Sequence, residues 1–267
     1  MMSKNIIFVF TGTGNSLWAA KEIAKEWEDC EIVSMGSDRA YSLAGGYDTV
    51  GFVYPTYYRG LPLQVRRFVS RLDLSKNKDA YLYAVATCGK VSCGGNSIVQ
   101  LHQLLNKKGA ALRYAKHLDM FSNYVVMYDM RPTVKEETQR SVQDLQPIIK
   151  EIKAKTVCKI KTTNEPFQQL AYHYLMHFAP TMDKNFTVSD ACVKCGICKK
   201  VCPVENIELG QDGKPYFKHH CEQCVSCIQN CPTRAINYKN KTQSRKRYTH
   251  PDIQWKELAK LNGYAVK

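Results

Sequence analysis

Eight of the twelve cysteines in this 267-residue chain lie between Cys192 and Cys231, and they form two copies of one pattern. Residues 192–203 and 221–232 both read C-x2-C-x2-C-x3-C-P, offset by 29 positions. In an exported chain so many cysteines would indicate a disulfide scaffold. Here the N-terminus runs from Met1 straight into a strand-like apolar segment without a cleavable leader. Metal or redox chemistry is therefore the expectation.

The spacing within each copy is the pattern by which bacterial proteins hold iron–sulfur clusters. Three thiolates separated by two residues can wrap one cluster from a single tight loop. The fourth, which is followed by proline, points toward the neighbouring cluster. Zinc is the alternative, because C-x2-C pairs also bind it. Zinc takes four ligands per ion, however, and does not require a further C-x2-C spacing followed by C-x3-C-P. The sequence predicts two 4Fe–4S clusters with crossed ligation, one held by Cys192, Cys195, Cys198 and Cys231, the other by Cys221, Cys224, Cys227 and Cys202.

Residues 184–240 resemble the two-cluster bacterial ferredoxins, since both copies match at all four cysteines and at the proline. The resemblance implies a small α+β fold with pseudo-two-fold symmetry. It also implies one-electron transfer at low potential. Nothing in it implies a substrate pocket.

The first 165 or so residues alternate between apolar runs and segments with helical periodicity. Short runs that are wholly apolar are typical of strands buried on both faces of a parallel sheet. The first predicted strand, residues 6–10, is such a run. With four further predicted strands and helical crossovers, it predicts a doubly wound five-stranded parallel α/β sheet, whose ligands bind at the carboxyl ends of the strands. The predicted strands are 6–10, 31–35, 49–54, 80–87 and 111–117, and the predicted helices are 17–28, 62–72 and 97–108, with a closing helix within 134–161.

The turn after the first strand is rich in hydroxyl and amide groups: Thr11, Thr13, Asn15 and Ser16 surround Gly12 and Gly14. Its place between a strand and a helix favours an anion, because the helix N-terminus presents free N–H groups and a positive dipole end. A dinucleotide site is disfavoured because Leu17 stands where the third glycine should be, and the Gly-Lys-Ser/Thr of a triphosphate loop is missing. The alternative is an ordinary capped helix start.

The pattern T-x-T-G-N-S resembles the FMN phosphate loop of the flavodoxins, and two later loops follow the third and fourth strands as in that family. The resemblance implies FMN binding, with Gly60 or its neighbours able to flip a peptide toward the flavin. Glycines in the third loop would permit close approach of a flat ring. The residues so implicated are Thr11, Thr13, Gly14, Asn15 and Ser16 in the first loop; Pro55, Thr56, Tyr57, Tyr58 and Gly60 in the second; and Thr87, Cys88, Gly89, Gly94 and Gly95 in the third.

The order of the two parts resembles the flavodoxin–ferredoxin fusion proteins of anaerobic bacteria, and the stretch Arg247–Pro251 is also similar to that family. The predicted organisation is a flavodoxin-like domain (1–165), an aromatic-rich connector (166–183), a ferredoxin domain (184–240) and a basic C-terminal tail (241–267). The connector is interpreted either as a packed link or as the last turns of a helix. Cys88 and Cys93 flank the third loop; small buried residues are favoured there over a redox disulfide.

The leading functional interpretation is an electron carrier that converts between the two-electron chemistry of FMN and the one-electron chemistry of two clusters. A reductase using NAD(P)H or a small substrate at the flavin is the alternative, and a redox-sensing partner-binding protein is a third. The net charge of +14 predicts an acidic redox partner rather than nucleic acid. The sequence contains no run of 18 apolar residues, so no membrane-spanning helix is predicted. The expected location is cytoplasmic. The oligomeric state is left open.

Overall fold

The computed structural model describes residues 4–36, 41 and 43–266. Its N-terminal part is built on a five-stranded parallel sheet with the strand order β2-β1-β3-β4-β5. That order is the flavodoxin-like version of the doubly wound sheet, so the predicted fold class is confirmed. The strands are β1 (Asn5–Val9), β2 (Cys30–Ser34), β3 (Thr49–Pro55), β4 (Tyr81–Cys88) and β5 (Leu112–Asp119).

Both faces of the sheet are covered by helices, which explains why its central strands read as continuous apolar runs. Every residue of β1 and β4 is buried. Helices α1 and α4 pack on one face, while α2 and α3 pack on the other. The helices are α1 (Asn15–Ala24), α2 (Leu63–Arg71), α3 (Ser97–Lys107) and α4 (Val134–Lys153).

Helix α1 begins at Asn15, two residues before the start that the apolar spacing predicted. Asn15 and Ser16 therefore belong to the first helical turn rather than to a loop. Gly14 is the N-cap residue and has a left-handed backbone conformation, with φ of 98°. The turn that joins β1 to α1 is consequently short and places the helix N-terminus at the carboxyl edge of the sheet.

The connector forms a helix, α5 (Pro166–His177), followed by a 3-10 turn (Ala179–Asn185). Tyr172 and Met176 are buried on one side of α5, and the Tyr172 ring lies against Gly60. A Cβ at Gly60 would come within 2.2 Å of that ring, so this position requires glycine because of the close approach. Helix α5 thus packs directly on the second predicted flavin loop.

The C-terminal module is a duplicated α+β unit, as the sequence predicted. Its two halves correspond at an offset of 29 residues in every element, and the strands pair across the halves, β6 with β9 and β7 with β8, both antiparallel. This exchange gives the module its pseudo-two-fold symmetry. Its elements are β6 (Phe186–Val188), α6 (Ile197–Lys200), β7 (Ile207–Leu209), β8 (Pro215–Phe217), α7 (Ser226–Gln229) and β9 (Ile236–Tyr238).

The segment after residue 240 returns to the N-terminal domain and ends in helix α8 (Trp255–Leu261). Glu257 of α8 pairs with Lys21 of α1, and the Asn262 amide donates to the carbonyl of Lys200 on α6. The chain end therefore bridges the two modules instead of extending from them. Within the described part of the chain, no helix has both the length and the apolar character needed to cross a membrane.

Candidate functional site

The eight cysteines of the repeats line two separate cavities in the C-terminal module. We call the first the outer cavity and the second the inner cavity. The atom-free space at the outer cavity is about 340 Å³ and that at the inner cavity about 310 Å³, both values including open solvent at the mouth. Among the described residues, no three His, Cys, Asp or Glu side chains form a site for a single metal ion. The outer cavity is lined by Cys192, Cys195, Cys198 and Cys231, and the inner cavity by Cys202, Cys221, Cys224 and Cys227.

The backbone around the two cavities is duplicated in detail. Left-handed residues recur 29 positions apart, at Lys194 and Gln223 and again at Gly196 and Val225. The fourth cysteine of each copy accepts a backbone N–H bond: from Asn206 to the Cys202 sulfur at 3.3 Å, and from Ala235 to the Cys231 sulfur at 3.2 Å. Such bonds stabilise negative charge on sulfur.

The two sets of thiols differ in their exposure to solvent. In the outer set only Cys198 is buried and Cys195 is exposed, whereas in the inner set only Cys224 is more than slightly exposed. Burial raises the pKa of the Cys198 thiol to about 12 and the pKa of the inner thiols above their ordinary range. Because thiolates are the ligating form, loading of either set with iron must release protons.

The turn before α1 presents a buried helix N-terminus without protein acceptors. Asn15, Ser16 and Leu17 are 8%, 1% and 4% exposed. In the described part of the chain, nothing accepts a hydrogen bond from their backbone N–H groups, and the first turn carries no acidic residue. A buried helix end without such partners indicates a ligand, and the dipole favours an anion. The hydroxyl of Thr11 accepts from the Gly14 N–H at 3.2 Å and helps to shape the turn.

The side chain of Asn15 is used within the chain. Its Nδ2 donates to the Phe121 carbonyl at 3.1 Å, and its Oδ1 accepts from the Tyr248 hydroxyl at 2.7 Å. An anion at this turn would therefore be held mainly by backbone N–H groups. Thr13 is also engaged, because its carbonyl accepts from the His250 N–H at 2.8 Å.

Hydroxyl pairs join the three predicted flavin loops at the carboxyl edge of the sheet. Ser16 and Thr87 hydroxyls lie 2.9 Å apart, which links the first loop to the third. Thr56 and Ser97 hydroxyls lie 3.0 Å apart, and the Thr56 N–H donates to the Thr87 carbonyl at 2.8 Å. The structure thus brings together residues from all three loops that are distant in sequence.

The second loop is a tight turn that presents its aromatic residues to the C-terminal module. Tyr57 and Gly60 exchange two backbone bonds, and Tyr58 and Arg59 between them have φ of 47° and 63°. The left-handed strain therefore lies at Tyr58 and Arg59 and not at Gly60. Pro55 ends β3 immediately before this turn.

The third loop packs against the second. The Asn96 N–H donates to the Arg59 carbonyl at 2.7 Å, and a Cβ at Gly95 would lie 2.4 Å from that carbonyl oxygen. Gly94 is similarly pressed against the His117 ring. Gly89 approaches Ser122, while Cys88 is buried and its thiol pKa is raised to about 12 by burial.

The inner cavity lies directly against this edge of the sheet. A Cβ at Gly12 would lie 2.5 Å from the Cys224 carbonyl oxygen, and one at Gly36 would lie 2.3 Å from the Pro203 carbonyl oxygen. Only glycine permits these two contacts. Burial raises the pKa of the Tyr57 phenol well above its ordinary value, and the nearby Cys224 contributes to that rise. The turn of residues 11–16, which we call the phosphate turn after the role predicted for it, therefore lies against the backbone of Cys224.

Polar contacts fix the second cysteine repeat on the N-terminal domain. Glu222, only 1% exposed, forms an ion pair with Arg67 at 2.8 Å. The hydroxyls of Tyr58 and Tyr124 both lie within hydrogen-bonding reach of Gln223 Oε1. Sequence reasoning missed these residues. No signal in the sequence could have found them, because glutamate and glutamine are equally common in exposed loops.

The comparisons with known proteins concern the two modules separately. Residues 184–232 match the family model of the 4Fe-4S dicluster domain. A ferredoxin of Pyrobaculum islandicum is 37% identical over 49 residues, which cover 18% of this chain and 46% of the ferredoxin. The chain spans less than half the length of the curated relatives that it matches. Residues 184–232 therefore carry an iron–sulfur domain of the dicluster type.

Two solved structures resemble the N-terminal part at low sequence identity. The Trp repressor binding protein of Bacillus subtilis is 15% identical with a TM-score of 0.38, over 55% of this chain and 99% of that chain. The rubredoxin:oxygen oxidoreductase of Desulfovibrio gigas is 14% identical with a TM-score of 0.35, over 57% and 36% of the respective chains. The fold assignment rests on the strand order described above.

Proposed function

We propose that this protein carries electrons between an FMN at the carboxyl edge of the sheet and two 4Fe–4S clusters in the C-terminal module. The supporting observation is the close backbone approach of Gly12, in the phosphate turn, to Cys224, one of the four cysteines that line the inner cavity. Electron transfer between cofactors requires closeness rather than a substrate pocket. FMN exchanges electrons in pairs or singly, whereas each cluster carries one, so the chemistry belongs to the cofactors.

The cysteine sets fit iron–sulfur clusters by the chemistry of their donors. Each cavity offers four sulfur ligands and backbone N–H bonds to sulfur. Each set takes three cysteines from one copy and the fourth from the other, as crossed ligation requires. In this proposal the inner set holds the cluster nearer the sheet. The outer set holds the one that exchanges electrons with a partner protein.

The sheet edge fits the phosphate of FMN by its unpaired, buried N–H groups at Asn15, Ser16 and Leu17. Thr13, Gly14 and the hydroxyls of Ser16 and Thr56 complete the surroundings that would hold it. The loops at Tyr57 and at Gly94 and Gly95 would flank the ring. What this chain contributes is a dry, fixed site: the hydroxyl pairs and glycine contacts keep the loops in place.

Two further assignments belong to the same proposal. None of the twelve cysteines forms a disulfide, which fits the reducing cytoplasm. The partner is a one-electron carrier with an acidic surface, because this chain carries a net charge of +14.

The test is anaerobic reconstitution followed by single-turnover mixing. Iron, sulfide and FMN are counted first, with about eight irons and one FMN per chain expected. The chain with FMN reduced is then mixed with a one-electron oxidant, and flavin and cluster absorbance are followed separately. Linked changes in both signals support the proposal. Cofactors that load but never exchange electrons would contradict it.

A second arm distinguishes a carrier from an enzyme in its own right. NADH or NADPH is added to the loaded, oxidised protein, and dithionite is the control reductant. Bleaching by dithionite alone identifies a carrier that depends on a partner. Rapid bleaching by a nicotinamide would assign the protein to the reductases instead.

A further inference from the structure

The stretch Arg247–Pro251, noted in the sequence but without a role there, lies on the phosphate turn. We call residues 247–253 the strap. Tyr248 is 4% exposed, His250 1% and Ile253 3%, so three side chains of the strap are buried. A solvated tail would have no reason to bury a tyrosine, a histidine and an isoleucine together.

One end of the strap is anchored on the C-terminal module. The Arg247 guanidinium donates to the Thr242 carbonyl at 3.0 Å and to Asn237 Oδ1 at 2.8 Å. The Tyr248 N–H donates to Gln229 Oε1 at 2.9 Å. Gln229 belongs to α7, between the inner ligand Cys227 and the outer ligand Cys231.

The other end holds the phosphate turn through three kinds of contact. The Tyr248 hydroxyl donates to Asn15 Oδ1 at 2.7 Å, and the His250 N–H donates to the Thr13 carbonyl at 2.8 Å. A Cβ at Gly14 would lie 3.0 Å from Ile253 Cβ, so the strap closes over the N-cap residue. Each contact falls on a residue of the turn that carries the free N–H groups.

Aromatic stacking gives the strap a fixed position. The Tyr248 ring stacks on Phe121 with centroids 4.7 Å apart, and the His250 ring stacks on Trp18 at 4.9 Å. Burial lowers the pKa of His250 to about 4, so the imidazole is neutral near pH 7, and its Nδ1 accepts from the Asp252 N–H. A neutral stacked ring is a packing element here.

We propose that the strap sets the shape of the phosphate turn, and that Tyr248 is the positioning residue through which the C-terminal module controls anion affinity at α1. The Tyr248 hydroxyl holds the Asn15 side chain, and Asn15 supplies the first backbone N–H of the helix. Without that hydroxyl, Asn15 Oδ1 would be buried without a donor, and the turn would relax to satisfy it. The part of the proposal that concerns FMN rests on the proposed function.

The test is Tyr248→Phe, which removes one hydroxyl and keeps the ring on Phe121. Tyr216→Phe is the matched control, because Tyr216 is 52% exposed on the C-terminal module. Hydrogen exchange is measured in peptides covering residues 10–18, and FMN and riboflavin affinities are measured by flavin fluorescence. Tyr248→Phe is expected to speed exchange in 10–18 and to weaken FMN binding about tenfold. Riboflavin, which lacks the phosphate, should keep its affinity, and the control should match wild type.

The outcomes separate this proposal from the proposed function. If the wild-type protein fails to bind FMN, the proposed function is overturned. Hydrogen exchange in residues 10–18 of Tyr248→Phe still tests whether the strap shapes the turn. Unchanged exchange in Tyr248→Phe overturns the strap, as does an unchanged FMN affinity in a chain that binds FMN. Equal weakening of FMN and riboflavin would also overturn it, because a general loss of structure does not single out the phosphate.

Discussion

The two cysteine repeats share one backbone but face different surroundings. In the first repeat, Val193 is 62% exposed and Cys195 is exposed beside Lys194, which lines the outer cavity. In the second, the equivalent positions, Glu222 and Cys224, lie against the N-terminal domain. The motif alone therefore fixes the ligand geometry. The residues between the cysteines decide which cavity faces the flavodoxin-like sheet and which faces solvent.

Because of this difference, one cavity of the duplicated module faces the sheet and the other faces solvent. The inner cavity lies against the sheet edge, because Gly12 and Gly36 allow close backbone contact with Cys224 and Pro203. The outer cavity keeps an exposed rim. In the proposed function, a partner would reach the outer cluster first. The first two comparisons below set an inner feature against an outer one, and the third concerns the outer rim alone.

The largest difference is expected from removing equivalent ligands, Cys224→Ala on the inner side and Cys195→Ala on the outer side. Each variant should lose about four of about eight irons, because each removes a ligand of one cluster. Only Cys224→Ala should also weaken FMN binding. The cysteine loop around residue 224 would relax without its cluster, and this loop lies against Gly12 of the phosphate turn. Iron analysis and flavin fluorescence titration measure the two effects.

Two results would count against this reading of the repeats. Loss of all iron in both variants would mean that the clusters do not assemble separately. Equal FMN affinities in the two variants would mean that the inner position has no influence on the phosphate turn.

The next largest difference concerns ion pairs. Arg67→Met keeps the aliphatic stem but leaves Glu222 buried without its cation. Burial already raises the pKa of Glu222 to about 7, against the opposing effect of Arg67. We expect the free energy of unfolding to fall by about 2 kcal/mol, less than for a fully buried pair, because Arg67 is partly solvated and Glu222 can take up a proton. Urea unfolding of the loaded protein measures the change.

The outer counterpart is the pair of Lys214 with Asp190, 2.9 Å apart at the surface. Asp190 is fully exposed, so Lys214→Met should leave the unfolding midpoint where it is. A comparable fall in the free energy of unfolding of both variants would show that burial does not strengthen the inner ion pair.

Much of the fold followed from local patterns in the sequence. The five predicted strands lie within two residues of the observed ones, and the cysteine spacing predicted which four thiols would line each cavity. These features succeed because their information is short-range: a strand buried on both faces and a ligand loop are each specified by neighbouring residues. The start of α1 was misplaced because Asn15 and Ser16 are polar, although they are buried.

The relation between the modules could not be predicted, because it depends on contacts between distant residues. Tyr248 is 233 residues from Asn15, and neither residue indicates the other. Gly12 matched the phosphate-loop pattern, and the pattern gave no hint that Cys224 would lie on it. The choice of inner and outer repeat is likewise encoded in Glu222 and Gln223, whose partners Arg67 and Tyr58 lie in the other module.

The smallest effect is expected at the outer rim, where the sign of charge should matter. Lys194→Glu introduces an acidic group beside the outer cavity, so the rate of reaction with an acidic one-electron carrier should fall about threefold at low salt. Stopped-flow mixing measures the rate. The control is Lys107→Glu, at the end of α3 and hence at the opposite edge of the sheet from the cavities. Because salt screens exposed charges, the difference between the variants should vanish at high ionic strength. Equal slowing by both variants would assign the attraction to the net charge of the whole chain. The outer cavity would then not be identified as the docking site of the partner.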